Sequence, residues 1–182
     1  MSTRKLTPLE MLQSADLETV LNGVELIEEK GKTTQLPELF RCYLTHTELP
    51  HKKALYELLS SITIKGAKDA WIALLSMPEF IKFRAQIVNI LWNTRLDFSA
   101  ELERFVELAV QLDYLGTLEC LTLIENMDGP FQEQQLLESE LILKEYVKKQ
   151  ADEGEQKQRL IVSLVQHLEQ LKMQDDHDLF FE

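Results

Sequence analysis

Apolar residues that recur at an interval of about 32 positions are the feature that most constrains the fold of this chain. One column of the recurrence contains Ile27, Leu59, Leu91 and Ile124. A second column contains Leu39, Trp71, Phe105 and Leu137. A fixed period of about 20–50 residues is typical of repeat proteins, in which each unit buries its apolar face against its neighbours. The two interleaved columns therefore predict helix pairs that stack side by side.

The spacing of apolar residues within each segment predicts an all-α protein. Apolar positions recur every three or four residues, as on one face of a helix, and no stretch of useful length alternates with the period of two that a strand requires. Five prolines are expected at helix starts, because proline is tolerated at the first helical position; they are Pro8, Pro37, Pro50, Pro78 and Pro130. The predicted helices cover 8–13, 16–30, 37–46, 50–63, 67–77, 78–94, 100–113, 114–127, 130–149 and 156–172.

The domain prediction is one helical-repeat domain over residues 1–173, followed by a tail at 174–182. The tail combines acidic residues with Leu179, Phe180 and Phe181. It is interpreted either as a terminal extension or as a segment that packs on this chain or on a sister chain. An irregular helical bundle is the alternative to the repeat architecture.

This pattern resembles the armadillo/HEAT-type helical repeats. The resemblance covers roughly residues 14–150 as four helix pairs and 156–172 as a closing helix, and it rests on the two apolar columns and on the prolines that open several helices. The turn positions depart from the Asp/Arg pair usual in such repeats, since they carry Lys32, Ile64, Leu96 and Asp128. The resemblance implies a right-handed α-α superhelix whose second helices line a concave face that holds a protein segment.

The charge of the chain argues against nucleic acid or an anionic membrane as its partner. The net charge is −12, from 19 basic and 31 acidic residues, whereas contact with phosphate requires Lys and Arg. Residues 96–155 alone carry 15 acidic and 4 basic side chains. The sequence has no run of about 18 apolar residues and no apolar leader at its start. With only two cysteines, expected to be buried thiols, a cytoplasmic protein is predicted.

No stretch of the sequence carries a catalytic motif, and we expect neither enzymatic activity nor a cofactor or metal. His46 and His51 flank a predicted turn, where they are either solvated or share a metal. Cys42 is either a core thiol or, with Arg41 and His46 nearby, a nucleophile. The core thiol is favoured.

The candidate partner-binding residues lie on the second helices and at one tryptophan. Opposite the apolar stripe of the helix at 100–113 lie Glu103, Arg104, Glu107 and Gln111, and Glu138 and Glu145 are similarly placed on the next second helix. If these helices line a concave face, that face is acidic and attracts a basic peptide or protein. Alternatively, the acids only keep the chain soluble.

The two tryptophans are expected to differ. Trp71 falls in an apolar column and is predicted to lie in the core, whereas the column of Trp92 is otherwise polar, which makes Trp92 a candidate exposed contact. The sequence as a whole therefore favours a non-catalytic interaction or regulatory module. The alternatives are a helical-repeat enzyme or small-molecule binder, and a homodimer formed through the C-terminal helices at 130–172 or the tail.

Overall fold

The computed structural model describes residues 5–149 and 154–178, with side chains described as far as Met173. Within these ranges the chain forms ten α-helices and three short 3-10 helices and contains no strand, so the all-α prediction is confirmed. The helices are α1 (Pro8–Leu12), α2 (Leu17–Lys30), α3 (Leu36–Thr45), α4 (Leu49–Ser61), α5 (Ala67–Ser76), α6 (Arg84–Leu91), α7 (Leu102–Gln111), α8 (Tyr114–Glu125), α9 (Glu133–Lys149) and α10 (Glu155–Asp178).

Side-chain caps fix the starts of several helices. Thr7 and Glu10 form a capping box at α1, in which the Thr7 N–H donates to Glu10 Oε2 at 2.8 Å. Asp16 Oδ2 accepts a hydrogen bond from the Thr19 N–H at 2.9 Å at the start of α2. Asp113 Oδ1 accepts from the Gly116 N–H at 2.9 Å at the start of α8. Each cap satisfies a backbone donor that the helix itself leaves without a partner.

Four of the five prolines open helices as predicted, and the prediction for Pro130 is wrong. Pro8, Pro37 and Pro50 occupy the first two positions of α1, α3 and α4, and Pro78 opens a 3-10 helix. Pro130 lies in the connection before α9, which begins only at Glu133. Gly129 in this connection has a φ of 73° and donates its N–H to Ser99 Oγ at 3.1 Å, so its backbone is in the left-handed region and cannot belong to a right-handed helix.

Three other predicted boundaries differ from the structure. The single helix predicted at 78–94 is a 3-10 helix at Pro78–Phe83 followed by α6. Ser99 does not cap α7 but begins a 3-10 helix, and its N–H and hydroxyl both donate to Asp97 Oδ1. Helix α10 continues to Asp178, so residues 174–178 of the predicted tail are helical. Leu179, Phe180 and Phe181 lie outside the described residues.

The chain divides into two compact units. The first contains the chain up to Ile81 together with Asn93–Leu96. In this unit α1 packs on α2 and α3, α2 packs on α4, and α3 packs on α4 and α5. Its fully buried side chains include Leu12, Val20, Leu36, Phe40, Leu55, Leu59, Trp71 and Leu74.

The second unit contains Lys82–Trp92 and the chain from Asp97 onward. Helix α8 packs on α6, α7 and α10, while α9 packs on α7 and α10. Its core includes Ile87, Val88, Phe98, Phe105, Val106, Cys120, Ile124, Leu136, Leu143, Ile161, Leu164 and Leu168. Within this unit α7 and α9 are neighbours, and so are α6 and α8.

The residues of the apolar columns are buried with one exception. Every member of the first column is buried, on α2, α4, α6 and α8 respectively. In the second column Leu39, Trp71 and Phe105 are buried, but Leu137 is 51% exposed. Helix α9 instead buries Leu136, Ser139, Leu143 and Tyr146, which are spaced by three and four residues. The assignment of Leu137 to a buried column is therefore wrong, because Leu137 lies about 100° or more around the helix from the buried face.

Candidate functional site

The outward face of α7 presents the first group of candidate residues. Helix α7 buries Leu102, Phe105, Val106, Leu108 and Ala109. This stripe leaves Arg104, Glu107 and Gln111 exposed and Glu103 half-buried, as the sequence predicted. The exposed polar residues follow from the three-and-four spacing of the apolar ones, since residues between the buried positions point the other way.

Carboxyl groups from α7 and α9 converge on this face. The Glu103 and Glu138 carboxyl groups approach each other between the two helices closely enough that each shifts the pKa of the other. A cleft of about 240 Å³ beside them is lined by Ala100, Glu101, Glu103, Arg104 and Glu107. We refer to Glu101, Glu103, Glu107 and Glu138 as the acidic face. The acidic face thus combines residues of two neighbouring helices that are distant in sequence.

The electrostatics of the acidic face reflect its crowding. Burial raises the pKa of Glu103, and the hydrogen bond and charge of Glu138 raise it further, together with the charges of Glu107 and Glu101. Hydrogen bonds from Gln134 and from Glu103 lower the pKa of Glu138. The four carboxyl groups of the acidic face are therefore crowded enough to disfavour the ionised form of Glu103.

Arg104 pairs with only one carboxylate of the acidic face. Its Nε donates to Glu101 Oε2 at 3.0 Å, three residues away on the preceding turn. Arg104 is the only basic side chain that lines the cleft as the structure describes it. Within the same described ranges Glu107 forms no ion pair. A single arginine paired with a single glutamate leaves a surplus of carboxylates.

Gln111 and Glu145 lie beside the acidic face rather than within it. Gln111 lines a separate cavity of about 570 Å³, together with Leu112, Asp113, Tyr114 and the start of α10. Glu145 is exposed two turns along α9 from Glu138 and pairs with Lys149 at 3.2 Å. Gln111 follows Glu107 by one helical turn, but neither Gln111 nor Glu145 lines the cleft beside Glu103.

Trp92 lies on a different surface, formed by α6 and α8. It follows α6 directly, is 38% exposed, and donates its Nε1–H to Glu119 Oε2 of α8 at 2.9 Å. Asn89 Nδ2 donates to the same oxygen at 3.0 Å. The expectation of an exposed aromatic side chain is confirmed, whereas Glu119 and Asn89 were not predicted. The repeat could have identified α8 as the neighbour of α6, because the apolar columns pair these two helices.

The histidine pair is used for hydrogen bonding to the backbone. His46 Nε2 lies 2.6 Å from the Leu12 carbonyl oxygen, and His51 Nε2 lies 3.1 Å from that of Ala15. Because a carbonyl oxygen only accepts, each Nε2 carries the proton and donates. The rings stack with centroids 5.0 Å apart. The described residues contain no cluster of three or more His, Cys, Asp or Glu side chains with metal-binding geometry.

Both cysteines are buried free thiols, as expected. Burial raises the pKa of the Cys120 thiol to about 12 and also raises the pKa of Cys42. The nucleophile interpretation of Cys42 required a base, but Arg41 pairs with Glu38 and Glu79. The nearby His46 uses its Nε2–H for the Leu12 carbonyl. The surroundings of Cys42 are thus those of a packed core thiol.

Across the part of the chain that the structure describes, no helix combines the length and the apolar character needed to cross a bilayer. Searches of this chain against protein-family models, curated proteins and solved structures found no match.

Proposed function

We propose that this chain is a non-catalytic protein-interaction module that binds a basic segment of a partner on the acidic face of α7 and α9. The observation that carries the proposal is the close approach of the Glu103 and Glu138 carboxyl groups beside Glu101 and Glu107. Lysine or arginine side chains of a partner would relieve the mutual repulsion of these carboxylates. Binding then gains from electrostatic attraction over distance and from the loss of repulsion on contact.

The same proposal includes a superhelical arrangement of the armadillo/HEAT type. Two observations support it: in one unit α2 packs on α4 and α3 on α5, and in the other α6 packs on α8, α8 on α10 and α7 on α9. Alternate helices are thus neighbours within each unit, as in stacked helix pairs. An experimental structure or a small-angle X-ray scattering curve tests this arrangement, and a scattering profile incompatible with stacked pairs would reject it.

The binding test uses charge reversal with a matched control. A fluorescein-labelled basic peptide of alternating lysine and alanine serves as the probe, and its affinity is measured by anisotropy at low and physiological salt. We expect the double variant Glu107→Lys/Glu138→Lys to weaken binding by about tenfold or more. The control Glu25→Lys/Glu125→Lys changes net charge equally but lies on exposed positions of α2 and α8. Equal loss in both variants would show only nonspecific attraction and would contradict the proposal.

The partner itself is sought by affinity purification followed by mass spectrometry. The wild-type chain and the Glu107→Lys/Glu138→Lys variant are used as paired baits. Proteins with basic segments should be enriched by the wild-type chain and lost from the variant. A partner set without basic members would count against the acidic face as the binding site. The compartment proposed for this interaction is the cytoplasm, since both buried thiols are free.

A homodimer through the C-terminal helices is the second candidate, and the exposed leucines of α9 favour it. Leu137 is 51% and Leu141 57% exposed, and they lie one turn apart on one side of α9. Large apolar residues grouped on a surface commonly mark an interface. Light scattering at increasing protein concentration measures the mass, and Leu137→Glu/Leu141→Glu should return any dimer to monomer. A monomeric wild-type chain throughout the range would remove this candidate.

A further inference from the structure

The surface around Trp92 has the parts of a receptor for a single basic side chain. Trp92 is 38% exposed, so part of the residue remains open to solvent. Its Nε1–H is held by Glu119 Oε2 at 2.9 Å, and its backbone N–H donates to the Val88 carbonyl at 3.2 Å. The Nε1–H bond therefore orients the ring before any ligand arrives, and the backbone bond fixes the position of the residue at the end of α6. An exposed aromatic ring that is already ordered contributes contact area with little loss of side-chain entropy.

Glu119 retains its charge and one oxygen for a ligand. Both of its hydrogen bonds, from Trp92 Nε1 and Asn89 Nδ2, end on Oε2. Within the described residues Oε1 has no hydrogen-bond partner. The two donors are neutral, so they orient the carboxylate without neutralising it.

The chemistry of this pair selects a cation with a flat, forked head. The face of tryptophan attracts cations more strongly than that of any other side chain. The guanidinium group of arginine also stacks on aromatic rings and donates hydrogen bonds to carboxylates, whereas a lysine ammonium is a more strongly hydrated point charge. Arginine can thus lie against Trp92 while it donates to Glu119 Oε1. The 15 acidic and 4 basic residues at 96–155 add attraction for such a side chain.

Apolar residues on the same side of α8 extend the surface. Leu115 precedes Glu119 by one helical turn and is 62% exposed, and Leu118 is also exposed. A partner segment that presents arginine to Trp92 could therefore place an apolar side chain against these leucines. This arrangement, an aromatic anchor beside apolar contacts, is typical of interface hot spots.

We propose that Trp92 and Glu119 form a recognition site for an arginine side chain of a partner protein. The site lies between α6 and α8 and shares no residue with the acidic face of α7 and α9. This proposal can therefore be rejected or supported independently of the function proposed above.

The test follows the two indole N–H signals of the 15N-labelled full chain by NMR. Trp71 is fully buried and serves as an internal reference, and Trp92→Phe assigns the signals. The probes are N-acetyl-arginine amide and its uncharged counterpart, N-acetyl-citrulline amide. We expect the arginine probe to shift the Trp92 signal in a saturable manner and the citrulline probe to produce at most a weak, unsaturable change. The Trp71 signal should not move.

Two variants separate the proposed contact from general charge. Glu119→Gln removes the charge but keeps an oxygen that can accept from Trp92, and it should abolish the saturable shift. Glu125→Gln removes the same charge from an exposed position of α8 and should leave the shift unchanged. Circular dichroism and an unchanged dispersion of the backbone amide signals verify that both variants are folded. The proposal is overturned if the arginine probe gives no saturable shift up to its solubility limit, if citrulline acts equally, or if Glu119→Gln binds like wild type.

Discussion

At the scale of single residues, the two tryptophans occupy opposite environments and should respond differently to truncation. Trp71 is fully buried in the first unit, whereas Trp92 is partly exposed in the second. Trp71→Ala should lower the free energy of unfolding by about 3–5 kcal/mol, because it leaves a large cavity. Trp92→Ala should lower it by about 1 kcal/mol, the typical value of one hydrogen bond. Urea denaturation followed by circular dichroism measures both, and equal losses would contradict these placements.

The raised pKa of Glu103 predicts a pH-dependent effect on stability. Because burial and Glu138 raise the pKa of Glu103 in the folded state, its favourable contribution is complete below the unfolded pKa and is lost as the pH rises through the folded pKa. At neutral pH the ionised side chain therefore destabilises the fold. Glu103→Gln should increase the free energy of unfolding at pH 7 by about 0.5 kcal/mol, a small value because solvent screens the group.

The same variant should lose its gain in the free energy of unfolding as the pH falls below about 4, because the carboxyl group becomes protonated in both the folded and the unfolded state. Thermal melts at several pH values test this expectation. Glu125→Gln is the control, since it removes an exposed charge of α8 that has no carboxyl partner across a helix interface. A gain for Glu103→Gln that persists unchanged in acid would point to packing rather than to charge.

At the scale of helices, Lys157 connects α10 to α7. This lysine is buried, and its Nζ donates to the Val110 carbonyl oxygen at 3.1 Å and lies 5.0 Å from the Tyr146 ring centroid. Val110 belongs to the last turn of α7, where carbonyl groups lack helical partners and the helix dipole favours a positive charge. Lys157→Ala should destabilise the protein by about 1–3 kcal/mol.

The control for this prediction is Lys148→Ala, at an exposed position of α9. A surface substitution of this kind should change the free energy of unfolding by about 0.5 kcal/mol or less. Chemical denaturation of both variants measures the difference. If Lys157→Ala proves as stable as Lys148→Ala, the contact with Val110 contributes nothing to the attachment of α10.

Helix positions were predictable from apolar spacing, but the rotation of one helix was not. The stripe of α7 is unambiguous, because polar residues separate its apolar positions, and the outward placement of Glu103 and Glu107 follows directly. Helix α9 contains the doublet Leu136–Leu137, and only the first is buried. Sequence alone cannot choose between adjacent leucines, since the choice depends on how α7 and α10 pack on α9. The alignment with Phe105 favoured the wrong one.

The candidate site was also predictable only in part from the sequence. That Glu138 approaches Glu103 agrees with the expected pairing of successive second helices. The partner of Trp92 was not predictable, because the register of α6 against α8 depends on where each helix begins. Pro78 opens a 3-10 helix, and α6 therefore starts at Arg84, later than its apolar pattern indicates. Contacts between side chains of neighbouring helices depend on such shifts of a few ångströms. The period of a repeat does not specify where each helix begins, so it cannot predict them.

At the scale of the whole molecule, the net charge of −12 should make stability depend on salt. Like charges repel in the compact state, and salt screens them over a Debye length of about 10 Å at 0.1 M. At pH 7 the melting temperature should therefore rise by about 2–4 °C between low salt and moderate sodium chloride, the shift expected for about 1 kcal/mol in a chain of this size. Differential scanning calorimetry measures it.

The acidic isoelectric point supplies the control for this last prediction. Near pH 4.8 the net charge of the chain approaches zero, so net repulsion vanishes and the same salt should no longer raise the melting temperature. If sodium chloride stabilises the chain equally at both pH values, the effect arises from the salt's action on apolar surface, not from screening. If it destabilises the chain at pH 7, attractive ion pairs such as Lys172–Glu140, at 2.7 Å, outweigh the repulsion among the carboxylates.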